Sequence, residues 1–127
     1  MAAVIEVGER DFDATVAGPA PVLVDFSASC CGPCRAMAAS LEAFAAHCTG
    51  DLAVVRIDID AAPGIAARVG VRSVPTLVLY EDGRPVGVCA GILGEQQLGA
   101  FVDRYLPPRE PRVVAQDPNR PQVKLDG

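Results

Sequence analysis

Two of the five cysteines in this 127-residue chain, Cys31 and Cys34, stand one helical turn apart with Gly32 and Pro33 between them. The run before them, Val22-Leu23-Val24-Asp25-Phe26, is continuously apolar except for Asp25 and reads as a strand buried on both faces. The stretch from Pro33 to about Cys48 repeats Met37, Leu41, Phe44 and Cys48 at i, i+4, i+7 and i+11, one face of a helix. Two thiols placed where a strand hands over to a helix are arranged for reversible disulfide chemistry. The unpaired N–H groups and positive dipole end of a helix N-terminus favour a negative charge. The thiolate, not the thiol, attacks a disulfide. Cys31, at the helix start, is therefore expected to be the lowered-pKa attacker. Cys34, one turn further in, is expected to resolve the mixed disulfide.

A pair of cysteines at this spacing also occurs in metal sites, which need two further ligands. The candidates are Cys30, Cys48, Cys89 and the single His47. None of them forms a second Cys-x-x-Cys pair, and Cys48 falls on the apolar helix face. Redox chemistry is the better reading, and no metal is expected. Asp25 is the second chemical feature. A carboxylate in a buried strand is costly unless paired or protonated, and desolvation raises its pKa. Arg56 is a candidate partner, and a guanidinium, which does not give up its proton, is expected to hold Asp25 ionised. Cys30 lies next to Cys31, where Cα atoms about 3.8 Å apart are too close for an ordinary disulfide. It remains available for a mixed disulfide, a small-thiol adduct or a link between two chains, or it is a neutral small residue. Cys48 and Cys89 read as core or strand thiols.

The elements that position these residues follow from periodicity and punctuation. Ala3–Val7 predicts a short edge strand, and Arg10–Ala17, with Phe12 and Val16 four apart, a short amphipathic helix. Strand Val22–Ala28 and the long helix follow, with Thr49-Gly50-Asp51 ending the latter. Leu52–Ile59 predicts a third strand. Ala62–Val69 predicts a helix with Pro63 in its first turn and Gly70 past its end. Thr76–Tyr80 and Arg84–Ala90 flank Glu81-Asp82-Gly83, a hairpin signal. Leu93–Leu106 predicts a last helix with Leu98, Phe101, Val102 and Tyr105 on one face. The order βαβαβαββα belongs to the α/β class, a mixed sheet covered by helices on both faces. One domain is expected over 1–106. Residues 107–127, with five of the eleven prolines and no apolar period, are expected to form a disordered tail.

Composition narrows the function. A net charge of −5 argues against nucleic acid or an anionic membrane surface as the main partner. The first residues carry no positive segment, and no apolar run approaches membrane-spanning length. A cytoplasmic protein is expected, with an odd set of thiols and no structural disulfide framework. Aromatic residues make up 5% of the chain and there is no Trp, so Ala, Val and Leu must build the core.

Val24-Asp25-Phe26, Cys31-Gly32-Pro33-Cys34, Val74-Pro75-Thr76 and Asp82-Gly83 follow the order and spacing of the thioredoxin family, which the chain resembles over about residues 3–106. The resemblance implies the thioredoxin fold and a protein-disulfide reductase. It implies Asp25 as the base and acid that manages the Cys34 proton through water. It implies a cis bond before Pro75, with Val74 pairing to an extended substrate segment. Gly32, Pro33, Val74, Pro75 and Gly91 are then the substrate-binding residues. No bound cofactor is implied; electrons come from NADPH through a separate flavoprotein reductase, a thioredoxin reductase, and pass to protein disulfides. The chain departs from the family at Ser27 and Cys30, where aromatic residues are usual, and at Ala39, where a kinking Pro is usual. Arg56 stands where a Lys is usual. A smaller, more polar platform around Cys31 is expected, with altered substrate selection. A second function follows from the missing aromatics and the Pro-rich tail: a binding or chaperone-like module of low turnover. Metal or iron–sulfur binding is the third.

Overall fold

The computed structural model describes residues 3–48 and 52–106. The turn expected at Thr49-Gly50-Asp51 and the tail expected over 107–127 lie outside the described residues. Nine elements follow in chain order: β1 (Val4–Glu6), α1 (Phe12–Ala17), β2 (Val22–Ser27), α2 (Gly32–His47), β3 (Ala53–Asp58), α3 (Pro63–Val69), β4 (Thr76–Glu81), β5 (Arg84–Ala90) and α4 (Glu95–Tyr105). This is the βαβαβαββα order expected, with ends displaced by one or two residues, where helices fray and strands lose partners.

The five strands form one sheet in the order β1-β3-β2-β4-β5. β3 runs parallel to β1 and β2, and β4 runs antiparallel to β2 and β5. Parallel neighbours need a crossover, which α2 supplies between β2 and β3, whereas the antiparallel pair β4–β5 needs only a two-residue turn. That turn is Asp82-Gly83, with φ of 56° and 78°. Positive φ at both residues gives the hairpin turn whose twist matches the strands it joins. A bulge at Leu79/Tyr80 lets Val86 pass without a partner beside Pro85, as suits an edge strand carrying a proline.

β2 lies at the centre, and all six of its residues are buried. Because strand side chains alternate, the strand feeds two cores. Val22, Val24 and Phe26 join Phe12 and Val16 of α1 and Ile65 of α3. Leu23 joins Met37, Leu41 and Ala45 of α2 and Leu98 and Val102 of α4. On α2 the buried stripe is Cys34, Met37, Leu41 and Ala45. The expected face is corrected at its end: Cys48 lies beyond the helix as its C-cap and is half-buried. Phe44, Phe101 and Tyr105 pack on the rim of the same core. Gly87 of β5 makes room for Tyr105, since a Cβ there would come within 2.5 Å of the ring.

Candidate active site

The cysteine pair sits where the sheet ends. β2 leaves the sheet after Ser27, and α2 begins after four intervening residues, at Gly32. Phe26 pairs with Thr76 of β4, and Thr76 with Ala90 of β5. The loop carrying Cys31, the Val74-Pro75 peptide and Gly91 therefore emerge at the same end of the sheet. In open α/β sheets the crevice outside the strand ends is where ligands bind.

Cys31 is the N-cap of α2, in extended conformation (φ −115°, ψ 113°), with Gly32 and Pro33 at the first two helical positions. Pro is at home there because its missing N–H has no intrahelical partner to lose. The backbone N–H of Cys34 donates to Cys31 Sγ at 3.1 Å. A sulfur thus takes the capping position that Ser or Asp fills elsewhere. The first turn of α2 holds no acidic residue to oppose the helix dipole. Cys31 and Cys34 are joined as a disulfide, their Cα atoms 5.2 Å apart, inside the ordinary span. Cys31 is half-buried and Cys34 is buried. Cys30, Cys48 and Cys89 are outside any disulfide; Cys30 is exposed and the other two are half-buried. Among the described residues no group of three or more His, Cys, Asp or Glu could hold a metal ion.

Asp25 is wholly buried, on the face of β2 that α2 covers. Parity places it there: Leu23, two residues back, belongs to the same core as Met37 and Leu41. Its direct partner across the parallel register is Arg56 of β3. Arg56 Nε donates to Asp25 Oδ2 at 3.4 Å, while Asp25 Oδ1 and Arg56 Nη2 have no protein partner. Burial pushes the carboxyl up from 3.8 to about 6, against the pull of the Arg56 charge and its hydrogen bond. Both expected influences are present: burial is the larger and raises the carboxyl, while Arg56 pulls it back toward the ionised form. A single long ion pair does not replace the water that this carboxylate loses.

The Val74–Pro75 peptide is cis, and Pro75 is buried beside a half-buried Val74. Two hydrogen bonds fix this corner. Gly91 N–H donates to Pro75 O at 2.9 Å, and Thr76 Oγ1 donates to Ser73 O at 2.7 Å. Gly91 has φ of 103°, a conformation L side chains rarely adopt, so a glycine is needed to aim its N–H at Pro75. The Ser73–Thr76 bond had no signal in the sequence beyond a hydroxyl three residues from a Ser. The approach of Glu6 to Arg56, Oε2 to Nη1 at 3.6 Å, had none either.

The Thioredoxin family model matches residues 3–104. The chain belongs to the thioredoxin family. The thioredoxins of Staphylococcus aureus strains Mu50 and MW2 are each 38% identical over 104 residues, 82% of this chain and 99% of theirs. A single-substitution mutant thioredoxin from Halobacterium salinarum NRC-1 superposes with a TM-score of 0.73 at 36% identity, over 81% of this chain and 90% of that one. The chain has the thioredoxin fold and is a thiol–disulfide oxidoreductase, a protein-disulfide reductase with Cys31 and Cys34 as its close thiol pair. Thioredoxins act on disulfide-containing substrates. The binding-module and metal-site readings are not favoured by these relatives.

Proposed function

We propose that Cys31 attacks the substrate disulfide, that Cys34 resolves the mixed disulfide, and that Asp25 handles the Cys34 proton. The Cys34 N–H on Cys31 Sγ carries this assignment. In the reduced protein that amide and the α2 dipole favour negative charge on Cys31 and not on Cys34, which lies deeper. Attack by the Cys31 thiolate forms the Cys31–substrate disulfide and releases one substrate thiolate. Cys34 then gives its proton to Asp25 and attacks Cys31 Sγ; as the Cys31–Cys34 bond closes the second substrate sulfur leaves as a thiolate, which takes up a proton from Asp25 or solvent. A carboxyl near 6 is matched to that transfer, since a base works best when its pKa lies close to the working pH. Gly32, Pro33, Val74, Pro75 and Gly91 form the groove in which an extended substrate segment pairs with the Val74 backbone.

The cycle needs no bound cofactor. It returns to the dithiol by exchange with a separate flavoprotein reductase that draws on NADPH, in the cytoplasm. In support, no helix among the described residues is long and apolar enough to cross a membrane. Insulin reduction in dithiothreitol tests the roles. Cys31→Ser is expected to fall to the uncatalysed background, and Cys34→Ser to accumulate a mixed disulfide visible by mass spectrometry. Brief alkylation of the reduced protein at neutral pH is expected to label Cys31 before Cys30. Labelling in the reverse order counts against the assignment. Addition of a thioredoxin reductase is expected to couple insulin reduction to NADPH oxidation, and no coupling removes that donor.

A further inference from the structure

Asp25 does not stand alone on its face of the sheet. The registers place Glu6 of β1 directly opposite Arg56 of β3, and Arg56 directly opposite Asp25 of β2. Three neighbouring strands thus carry a row of charges, minus, plus, minus, from the sheet edge to its centre. The row is graded in exposure: the side chains are 76%, 17% and 0% accessible in that order. The guanidinium is divided between its neighbours. Its Nε faces Asp25 Oδ2 at 3.4 Å and its Nη1 faces Glu6 Oε2 at 3.6 Å. Its third nitrogen, Nη2, is buried without a protein partner. Neither contact is short, so the cation is shared rather than committed.

We propose that Glu6 is a positioning residue for the disulfide exchange. Competing for Arg56 at the surface, it loosens the grip of that guanidinium on Asp25 and keeps the buried carboxyl available to the thiol pair. The proposal rests on the acid–base role given to Asp25 above.

The surroundings leave few other groups to act. Arg56 is the one charge that acts on Asp25 among the described residues. Opposite Asp25 on β4 stands the apolar Leu77. The helices on this face contribute Met37, Leu41 and Leu98. Of the titratable groups on α2, Cys34 is the buried one and titrates once the disulfide opens, whereas Arg35, Glu42 and His47 are exposed. Glu6 therefore has an unobstructed lever, through Arg56.

The lever has a sign. Removing the negative charge of Glu6 commits Arg56 to Asp25 and lowers the carboxyl's midpoint. Removing the positive charge of Arg56 leaves burial unopposed and raises it. An NMR titration of the Asp25 carboxyl in the oxidised full chain reads both. Glu6→Gln is expected to shift the midpoint down by about half a pH unit, the size of a surface pair's influence. Arg56→Gln is expected to shift it up by about one unit or more. In the double variant the Glu6→Gln shift is expected to vanish, because the lever is gone. Arg56→Lys, which keeps the charge, is expected to stay closer to the parent than Arg56→Gln does. Glu6 is exposed on an edge strand, so Glu6→Gln does not put folding at risk. A midpoint unmoved by Glu6→Gln, or moved upward, overturns the proposal. The rate profile of insulin reduction supplies the separate arm. An acidic limb that moves down with the midpoint supports the proposal. A midpoint that moves while Asp25→Asn keeps the parent's rate profile overturns instead the acid–base role on which it rests.

Discussion

On the face covered by α1 and α3, β2 contributes Val22, Val24 and Phe26, and the core there is apolar and aromatic throughout. On the face covered by α2 and α4 the same six residues contribute Leu23, Asp25 and Ser27. The first face is built for cohesion. Phe12 stacks tilted on Phe26 and edge-on to Tyr80, both at 5.9 Å between ring centroids. Such pairs add to area burial through the ring quadrupoles. The second face is aliphatic where α2 and α4 cross the sheet, yet it holds a buried carboxylate with one oxygen unpartnered. One strand thus serves stability with one set of alternate residues and chemistry with the other. A strand buried on both sides and ending at the α2 N-terminus allows both.

Three measurements break or sharpen this contrast. Phe26→Ala on the cohesive face is expected to lose about 3–5 kcal/mol in urea unfolding, with the order of cysteine alkylation unchanged. A loss below about 1 kcal/mol would show that the aromatic cluster is not what holds this face. Asp25→Asn on the other face is expected to gain stability. A carboxyl raised from 3.8 to about 6 in the folded state binds its proton more tightly there than when unfolded. Its stability contribution is complete below about pH 4 and is lost as pH rises through 6. The advantage of Asn should therefore be absent near pH 4, grow through pH 6, and level off at up to roughly 3 kcal/mol at neutral pH. Denaturant midpoints across that range check it, and a gain already complete at pH 4 would remove the burial argument. The smallest effect belongs to the surface of the cohesive face. Arg68 meets Asp13 through two nitrogens, at 2.8 and 3.3 Å, with both side chains largely exposed. Arg68→Ala is expected to change stability by no more than about 1 kcal/mol, and less as salt rises.

Much of the architecture was legible in the residues. The continuous apolar run of β2, the apolar spacing of α2, Pro63 and Gly70 around α3, and Asp82-Gly83 between β4 and β5 each mark a local conformation with few alternatives. The thiol pair was legible for the same reason, since its spacing and its helix start are local. Less was legible where an outcome is a balance between distant groups. The sequence could name Arg56 beside Asp25, but not which would prevail, the cation or the burial. The row that begins at Glu6 depends on strand register across β1, β3 and β2, and register between separate strands leaves no local trace.

By itself the chain's order of residues determined the elements, the α/β class, the cysteine pair and the buried position of Asp25, because these rest on periodicity, turn chemistry and the helix N-terminus. Only the tertiary structure decided how far Cys31 and Cys34 differ in exposure, that Gly91 anchors the Pro75 corner, and that Asp25 sits near 6. The physical reason is range: backbone preference acts over a few residues, whereas desolvation, charge and exposure are set by whatever the fold packs alongside.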